Sequence, residues 1–234
     1  MFDYGDVWVD DWSDMRQFGP SARHLRNIVL ALLRDLQFAT VLDVGCGEGS
    51  LLNDLYGVQP ALLPFGVDLS ESALARARQR VPGGEFASLD VASARLQRQF
   101  DLVVCTDVVE HIPDDRAALG NLAGMTGRYL LVSSLQGRMR GFEATVGHVR
   151  NYKLGELAAK IEETGLRVVR VVQWGFPFFS PLYRNLLDGV GGRGTTGQYG
   201  RFRRLIAGAL YQLFRLNTWT RGDVIVVLAE RPHA

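Results

Sequence analysis

The chain has 234 residues, 47% of them hydrophobic and 22% charged. A chain of this size hides about 70% of the surface its extended form exposes, which excludes disordered and collagen-like classes and removes any need for disulfides or a structural metal. Twenty-six basic against 25 acidic side chains give a net charge of +1, far from the basic excess of a duplex binder, so no nucleic-acid partner is expected.

The first 20 residues alternate Asp3, Asp6, Asp10, Asp11 and Asp14 with Tyr4, Trp8, Trp12 and Phe18, an acidic and aromatic cap without the basic and apolar regions of a secretory signal. Cys46 and Cys105 are the only cysteines; both sit in apolar runs and read as small core residues. A cytoplasmic setting is expected. Gly19-Pro20-Ser21 gives a helix start, and Leu25, Ile28, Val29, Leu32, Leu33 and Leu36 follow at helical spacing.

Short apolar runs then alternate with helical patterns. The expected strands are Thr40–Val44, Leu62–Val67, Glu85–Leu89, Asp101–Cys105, Tyr129–Ser133, Leu166–Gln173 and Asp223–Ala229. Helices are expected over Ser50–Tyr56, Glu71–Arg80, Asp114–Gly124 and Leu154–Thr164. Strands separated by helices predict right-handed crossovers and one α/β, mostly parallel, seven-stranded sheet, doubly wound with helices on both faces. About 50 residues separate the last two strands, where a tight hairpin needs two to five. This helical insertion holds Trp174 to Phe179, a helix from Pro181 to Leu187, a glycine-rich hinge from Gly189 to Gly200, and a helix from Arg201 to Leu216. The expected organisation is a single domain over 1–234: cap helices in 1–37, a core in 38–173, the insertion in 174–222 and the last strand in 223–230.

The chemistry lies in Val41-Leu42-Asp43-Val44-Gly45-Cys46-Gly47-Glu48-Gly49, a glycine-rich turn between the first strand and its helix. A dinucleotide fingerprint spaces glycines G-x-G-x-x-G for a pyrophosphate. Here the spacing is one residue shorter, and Asp43 would repel a diphosphate. Turn amides for a carboxylate and an acid for an ammonium suit the zwitterionic end of an amino acid better. With that motif the sequence resembles the class I S-adenosylmethionine-dependent methyltransferases, over about its first 165 residues.

The resemblance implies a Rossmann-like fold, S-adenosylmethionine as donor and S-adenosylhomocysteine as product. It implies that Asp43, Gly45, Cys46, Gly47 and Gly49 hold the methionine end. Asp68, nineteen positions after Gly49, would grip the ribose hydroxyls with Leu69 beside it. Asp90 and Val91 would meet the adenine, and Thr106 would lie near the methionine portion. Val108-Val109-Glu110-His111-Ile112-Pro113 looks like the family's loop into the next helix.

Orientation of an acceptor behind the methyl carbon can supply on the order of 7–11 kcal/mol, so placement comes first. A base helps if the acceptor is a hydroxyl. His148, just beyond the fifth strand, and His111, after the fourth, are the candidates for that role. His233 is set aside, being one residue from the last. Arg23 could pair with the donor's carboxylate, although an exposed helix-start pair is the plainer reading of Arg23 and His24. Asp10-Asp11 and Asp114-Asp115 read as solvated neighbours, and no cluster has metal-ligand spacing, so no metal is expected.

In the late helix Phe202, Leu205, Ile206, Ala209, Leu210, Leu213 and Phe214 form an apolar stripe, and from Gly189 to Gly222 there are six arginines and no acid. Such a helix can lie on an anionic membrane through 201–216, or pack on the sheet or on a second subunit of a homodimer. The aromatics from Trp174 to Phe179, with Tyr183, could wall an acceptor pocket or simply pack the insertion. The expected function is methyl transfer to a small molecule, on oxygen, nitrogen or carbon. With 24 arginines against two lysines, a GC-rich coding sequence and bacterial specialised metabolism fit. A lipid-linked acceptor, a non-catalytic donor-binding module and a nicotinamide oxidoreductase stay open.

Overall fold

The computed structural model describes residues 7–192 and 197–232, without the side chains of 7–12. Asp3, Asp6, Tyr4 and His233, and the side chains of Trp8, Asp10, Asp11 and Trp12, lie outside the described residues. Two helices, α1 (Val7–Phe18) and α2 (Pro20–Leu33), precede β1 (Thr40–Val44). There follow α3 (Ser50–Val58), β2 (Leu63–Asp68), α4 (Glu71–Arg80), β3 (Glu85–Ser88) and β4 (Phe100–Thr106). The chain continues through α5 (Asp115–Met125), β5 (Thr126–Leu135), α6 (Gly141–Thr145), α7 (Glu156–Glu162) and β6 (Arg167–Trp174). The insertion carries α8 (Arg184–Gly189) and α9 (Arg201–Phe214), and β7 (Val224–Glu230) ends the sheet.

The seven strands form one sheet in the order β3-β2-β1-β4-β5-β7-β6. β7 runs antiparallel to both its neighbours and the other pairings are parallel. The expected fold class holds. Period-two alternation divides the core. Val41, Leu102, Val104 and Leu131 face α2, α3 and α9, while Leu42, Val103, Cys105 and Leu130 face α5 and α7. Burying both faces explains why β4 reads as an unbroken apolar run. Ser70 and Asp114 cap α4 and α5 by accepting backbone hydrogen bonds from Ala73 and Ala117, the usual use of such side chains at helix starts.

Chain order reverses between β1 and β4, the switch point at which parallel sheets open a crevice beyond their strand ends. The turns after β1, β2 and β4 meet there, with α1 laid across them.

Candidate active site

The turn after β1 is held from below: the amides of Gly45 and Cys46 both donate to the Val67 carbonyl, at 2.8 and 3.0 Å. Gly45 and Gly47 adopt φ of +75° and +53°, a region that side chains disfavour. A Cβ on Gly45 would strike the Val108 side chain, and one on Gly47 would lie 2.5 Å from Arg16 Nη1. Asp68 closes the floor, its Oδ2 accepting from the Gly47 amide at 2.8 Å and its Oδ1 from the Ser70 amide at 3.0 Å. Each oxygen keeps a second lone pair for a hydroxyl.

Asp43 is only 2% exposed, and its Oδ1 has no hydrogen-bond partner. Burial pushes its carboxyl up to about 7, with Arg16 opposing and Asp68 adding to the rise. A buried acceptor without a donor is costly; a cationic ligand group in the crevice would satisfy it. Leu69 stays 52% exposed beside Asp68 while Val91 is buried. Asp90 accepts from the Ala92 amide at 2.9 Å and from the Ser93 hydroxyl at 3.1 Å, organising its own turn.

Two residues beyond those expected complete the crevice. Asp107 follows Thr106 at the tip of β4 in a left-handed conformation, φ +55°, and accepts from the Ser133 hydroxyl at 3.2 Å. The residue is exposed, yet the protein around its carboxyl raises that group, while Arg16, His148 and Ser133 lower it. Arg16 comes from α1, and its charge reaches Asp43, Asp107 and His111. Arg26 fixes its backbone, donating to the Arg16 carbonyl at 2.6 Å and pairing with Asp54 at 2.8 Å. Ser13, one turn earlier, donates to Glu48 at 3.0 Å, and Glu48 is buried between Arg76 and Arg80. Arg16 is the sole cation among the first 22 residues, a signal that could have singled it out.

The fold joins the two expected histidines, which stand 37 positions apart in sequence. Their rings lie 4.6 Å apart edge to face. Burial, aided by His148, holds the His111 imidazole down to about 4. Burial likewise lowers His148, against Asp107 and Glu143, which raise it. Both are neutral near pH 7. Arg150 holds the turn beneath His111 by donating to the carbonyls of Ile112 and Pro113, and the Val149 amide donates to the Glu110 carbonyl at 2.9 Å. Glu110 itself is 1% exposed, and burial with the Asp107 charge pushes it up to about 8. One ligand atom each of Glu110, His111 and His148 lies within 4.8 Å of the others. Sequence spacing shows no such group, because its third member comes from a distant loop.

That loop is fastened through Glu143, which accepts from the Arg140 amide and the Asn151 side chain at 2.9 Å each. Arg184, from the insertion, pairs with both Glu143 and Asp223. The insertion is thereby pinned to the loop that carries His148.

Other expectations are corrected. His24 is buried rather than exposed: it bonds the Tyr211 carbonyl at 2.9 Å and stacks with Trp174 and Tyr211, joining α2 to α9. Arg23 lies over the Tyr211 ring at 3.7 Å, and it is Arg16 that faces the motif. Asp115 is buried, not solvated, and binds Lys160 at 2.8 Å. Of the two readings left open for the insertion aromatics, the structure shows packing for Trp174 and Phe179, which join Phe214 in the core.

A glycine turn beside a buried acid, a second acid at the end of β2 and an arginine laid over them stand at the switch point of a Rossmann-like sheet, the class I methyltransferase fold. Residues 15–171 match the family described as methyltransferase domain, and the chain belongs to that family of S-adenosylmethionine-dependent enzymes. It is similar to ubiquinone biosynthesis O-methyltransferase of Thiobacillus denitrificans, 27% identical over 167 residues, covering 62% of this chain and 71% of the relative. To magnesium-protoporphyrin O-methyltransferase of Synechocystis it is 33% identical over 100 residues, covering 40% of this chain and 43% of the relative. The match thus spans less than half the length of that second relative. The crystal structure of the Synechocystis magnesium protoporphyrin IX methyltransferase with bound S-adenosylhomocysteine has the same fold, with a TM-score of 0.59 at 20% identity, covering 94% of this chain and 86% of that one. No helix among the described residues is long and apolar enough to cross a membrane.

Proposed function

We propose that the chain methylates a small-molecule acceptor at oxygen, with Asp43 and Arg16 holding the two ends of the donor's amino-acid group and His148 serving the acceptor. The observation that carries this reading is the buried, partnerless Oδ1 of Asp43 close enough to Arg16 to feel its charge. A carboxylate and a guanidinium in one crevice match an ammonium and a carboxylate on one ligand. Asp68 takes the ribose hydroxyls, Leu69 and Val91 the adenine faces, and Asp90 its amino edge.

S-adenosylmethionine supplies a methyl group on a sulfonium, already a good leaving group. The remaining task is to place an acceptor atom and to remove its proton. His148 Nδ1 is buried without a hydrogen-bond partner, and the ring is kept neutral by burial, so it can accept a hydroxyl proton. The Asp107 charge then stabilises the imidazolium. General-base help of this kind is worth about 10²–10⁴-fold. An oxygen acceptor is supported by the names of the ubiquinone and magnesium-protoporphyrin relatives. A role in bacterial specialised metabolism rests on the arginine-rich composition alone.

The test is calorimetry with S-adenosylhomocysteine and with a nicotinamide dinucleotide. One S-adenosylhomocysteine molecule bound per chain and no dinucleotide binding support the reading; the reverse order of affinity removes it. A chain that binds donor yet transfers no methyl to any phenolic or carboxylic acceptor would leave only a binding module.

A further inference from the structure

The apolar stripe of α9 is wider than its contact with the fold. At 100° per residue, Ala207, Leu210, Tyr211 and Phe214 share one arc and meet α2, where His24 bonds the Tyr211 carbonyl and Phe214 is buried. Phe202, Leu205, Ile206, Ala209 and Leu213 occupy a second arc of about 100° beside it. This second arc faces outward: Phe202 is 73% exposed, Leu205 70%, Ile206 43% and Leu213 39%. Leu216 and Trp219, just past the helix end, are 66% and 42% exposed. Single exposed apolar residues are ordinary, but a contiguous face of this kind marks a contact surface.

Charge says which kind. Six arginines and no acid lie between Gly189 and Gly222. Arg204 and Arg203 are engaged by Tyr199 and Phe18, whereas Arg201 borders the outward arc and Arg215 lies on the polar side between the two arcs, both exposed. A basic helix with a solvent-facing apolar arc and an exposed tryptophan at its end has the composition of helices that lie in the bilayer interface.

We propose that the outward face of α9 docks on an anionic phospholipid bilayer, with Phe202, Leu205, Ile206 and Leu213 entering the headgroup boundary and Arg201 and Arg215 pairing with lipid phosphates. This surface is continuous with the cap of the crevice. The Tyr199 amide donates to Asp14 at 2.5 Å, and the Arg204 guanidinium lies over Phe18 at 4.2 Å. Both contacts are on α1, the helix that carries Arg16. Docking therefore sets the helix that closes the donor site beside the membrane, where an apolar acceptor is concentrated. The proposal does not depend on the roles assigned to the catalytic residues.

The test is co-sedimentation with vesicles of equimolar phosphatidylcholine and phosphatidylglycerol, against pure phosphatidylcholine. The wild-type chain is expected to sediment with the anionic vesicles and to be released by salt. Leu205→Glu and Phe202→Asp should each lower the bound fraction about tenfold or more, with S-adenosylhomocysteine binding unchanged as proof of folding. Arg201→Glu with Arg215→Glu, both exposed and outside the packed arc, should abolish the preference for anionic lipid. Equal binding to both vesicles, no binding, or unchanged binding of the variants overturns the proposal. So does light scattering that finds a dimer which Leu205→Glu converts to monomer, because the face would then be covered by a second copy.

Discussion

Replacing Asp43 with asparagine keeps the shape of the side chain and removes its charge, and the structure predicts opposite effects on stability and on donor affinity. The folded-state carboxyl titrates at about 7 against 3.8 for the free side chain. Between those values the folded chain holds a proton that the unfolded chain has released, so stability falls as pH rises through this window and is flat above it. Three units at 1.36 kcal/mol each give a penalty of about 4 kcal/mol above pH 7. Asparagine escapes it. At pH 8 the ligand-free variant should melt about 8–16 °C higher than wild type, at about 2–4 °C per kcal/mol for a chain of this length; at pH 4 the two should melt together. Donor binding should move the other way. Losing a charge-assisted bond to the ammonium costs about 1.5–3 kcal/mol, roughly 10- to 150-fold in Kd. Wild-type affinity should itself decline below pH 7 as Asp43 protonates, and the variant's should not. Differential scanning calorimetry with titration calorimetry at both pH values reads each arm. A variant that binds as tightly as wild type at pH 8, or a wild-type affinity indifferent to pH from 8 to 6, would refute the ammonium role.

Arg16→Ala should weaken donor binding by about tenfold or more with little change in melting, measured by titration calorimetry; Arg23→Ala should leave it unchanged. His148→Ala should lower turnover about 10²–10⁴-fold with donor affinity preserved. In the wild type, kcat should be level near neutrality and fall only on the acid side below 6.5, because burial lowers the His148 value and protonation removes the base. Dialysis against a chelator should leave the rate unaltered if His148 acts directly as base; a loss restored by a divalent cation would reassign Glu110, His111 and His148 to metal binding. Glu143→Ala leaves the buried Arg184 with Asp223 as its remaining carboxylate and removes the acceptor of the Arg140 amide and Asn151; it should cost stability, up to about 3–5 kcal/mol, seen as a lower denaturation midpoint.

The sheet was legible because its signal is local. β1, its glycine turn and Asp68 each announce themselves within a few residues, and every expected strand appears within a few residues of its place. What was not legible depends on which surface covers which. Arg16 reaches Gly47 only because Arg26 and Glu48 fasten α1 across the turn, a relation with no sequence period. His24 looks like an exposed helix-start residue until α9 is laid against it from 187 positions away. The late helix shows the same limit: its stripe is plain, but only the α2 contact divides it into a packed half and an open half. Asp107 had a readable signal, an acid at the tip of β4 two residues before the buried Val109.

The most direct measurement is a crystal structure of the chain with S-adenosylhomocysteine. The amino group should lie against Asp43, the carboxylate toward Arg16, and both ribose hydroxyls on Asp68. Ligand density elsewhere on the sheet, or an amino-acid end turned away from Asp43 and Arg16, would contradict it.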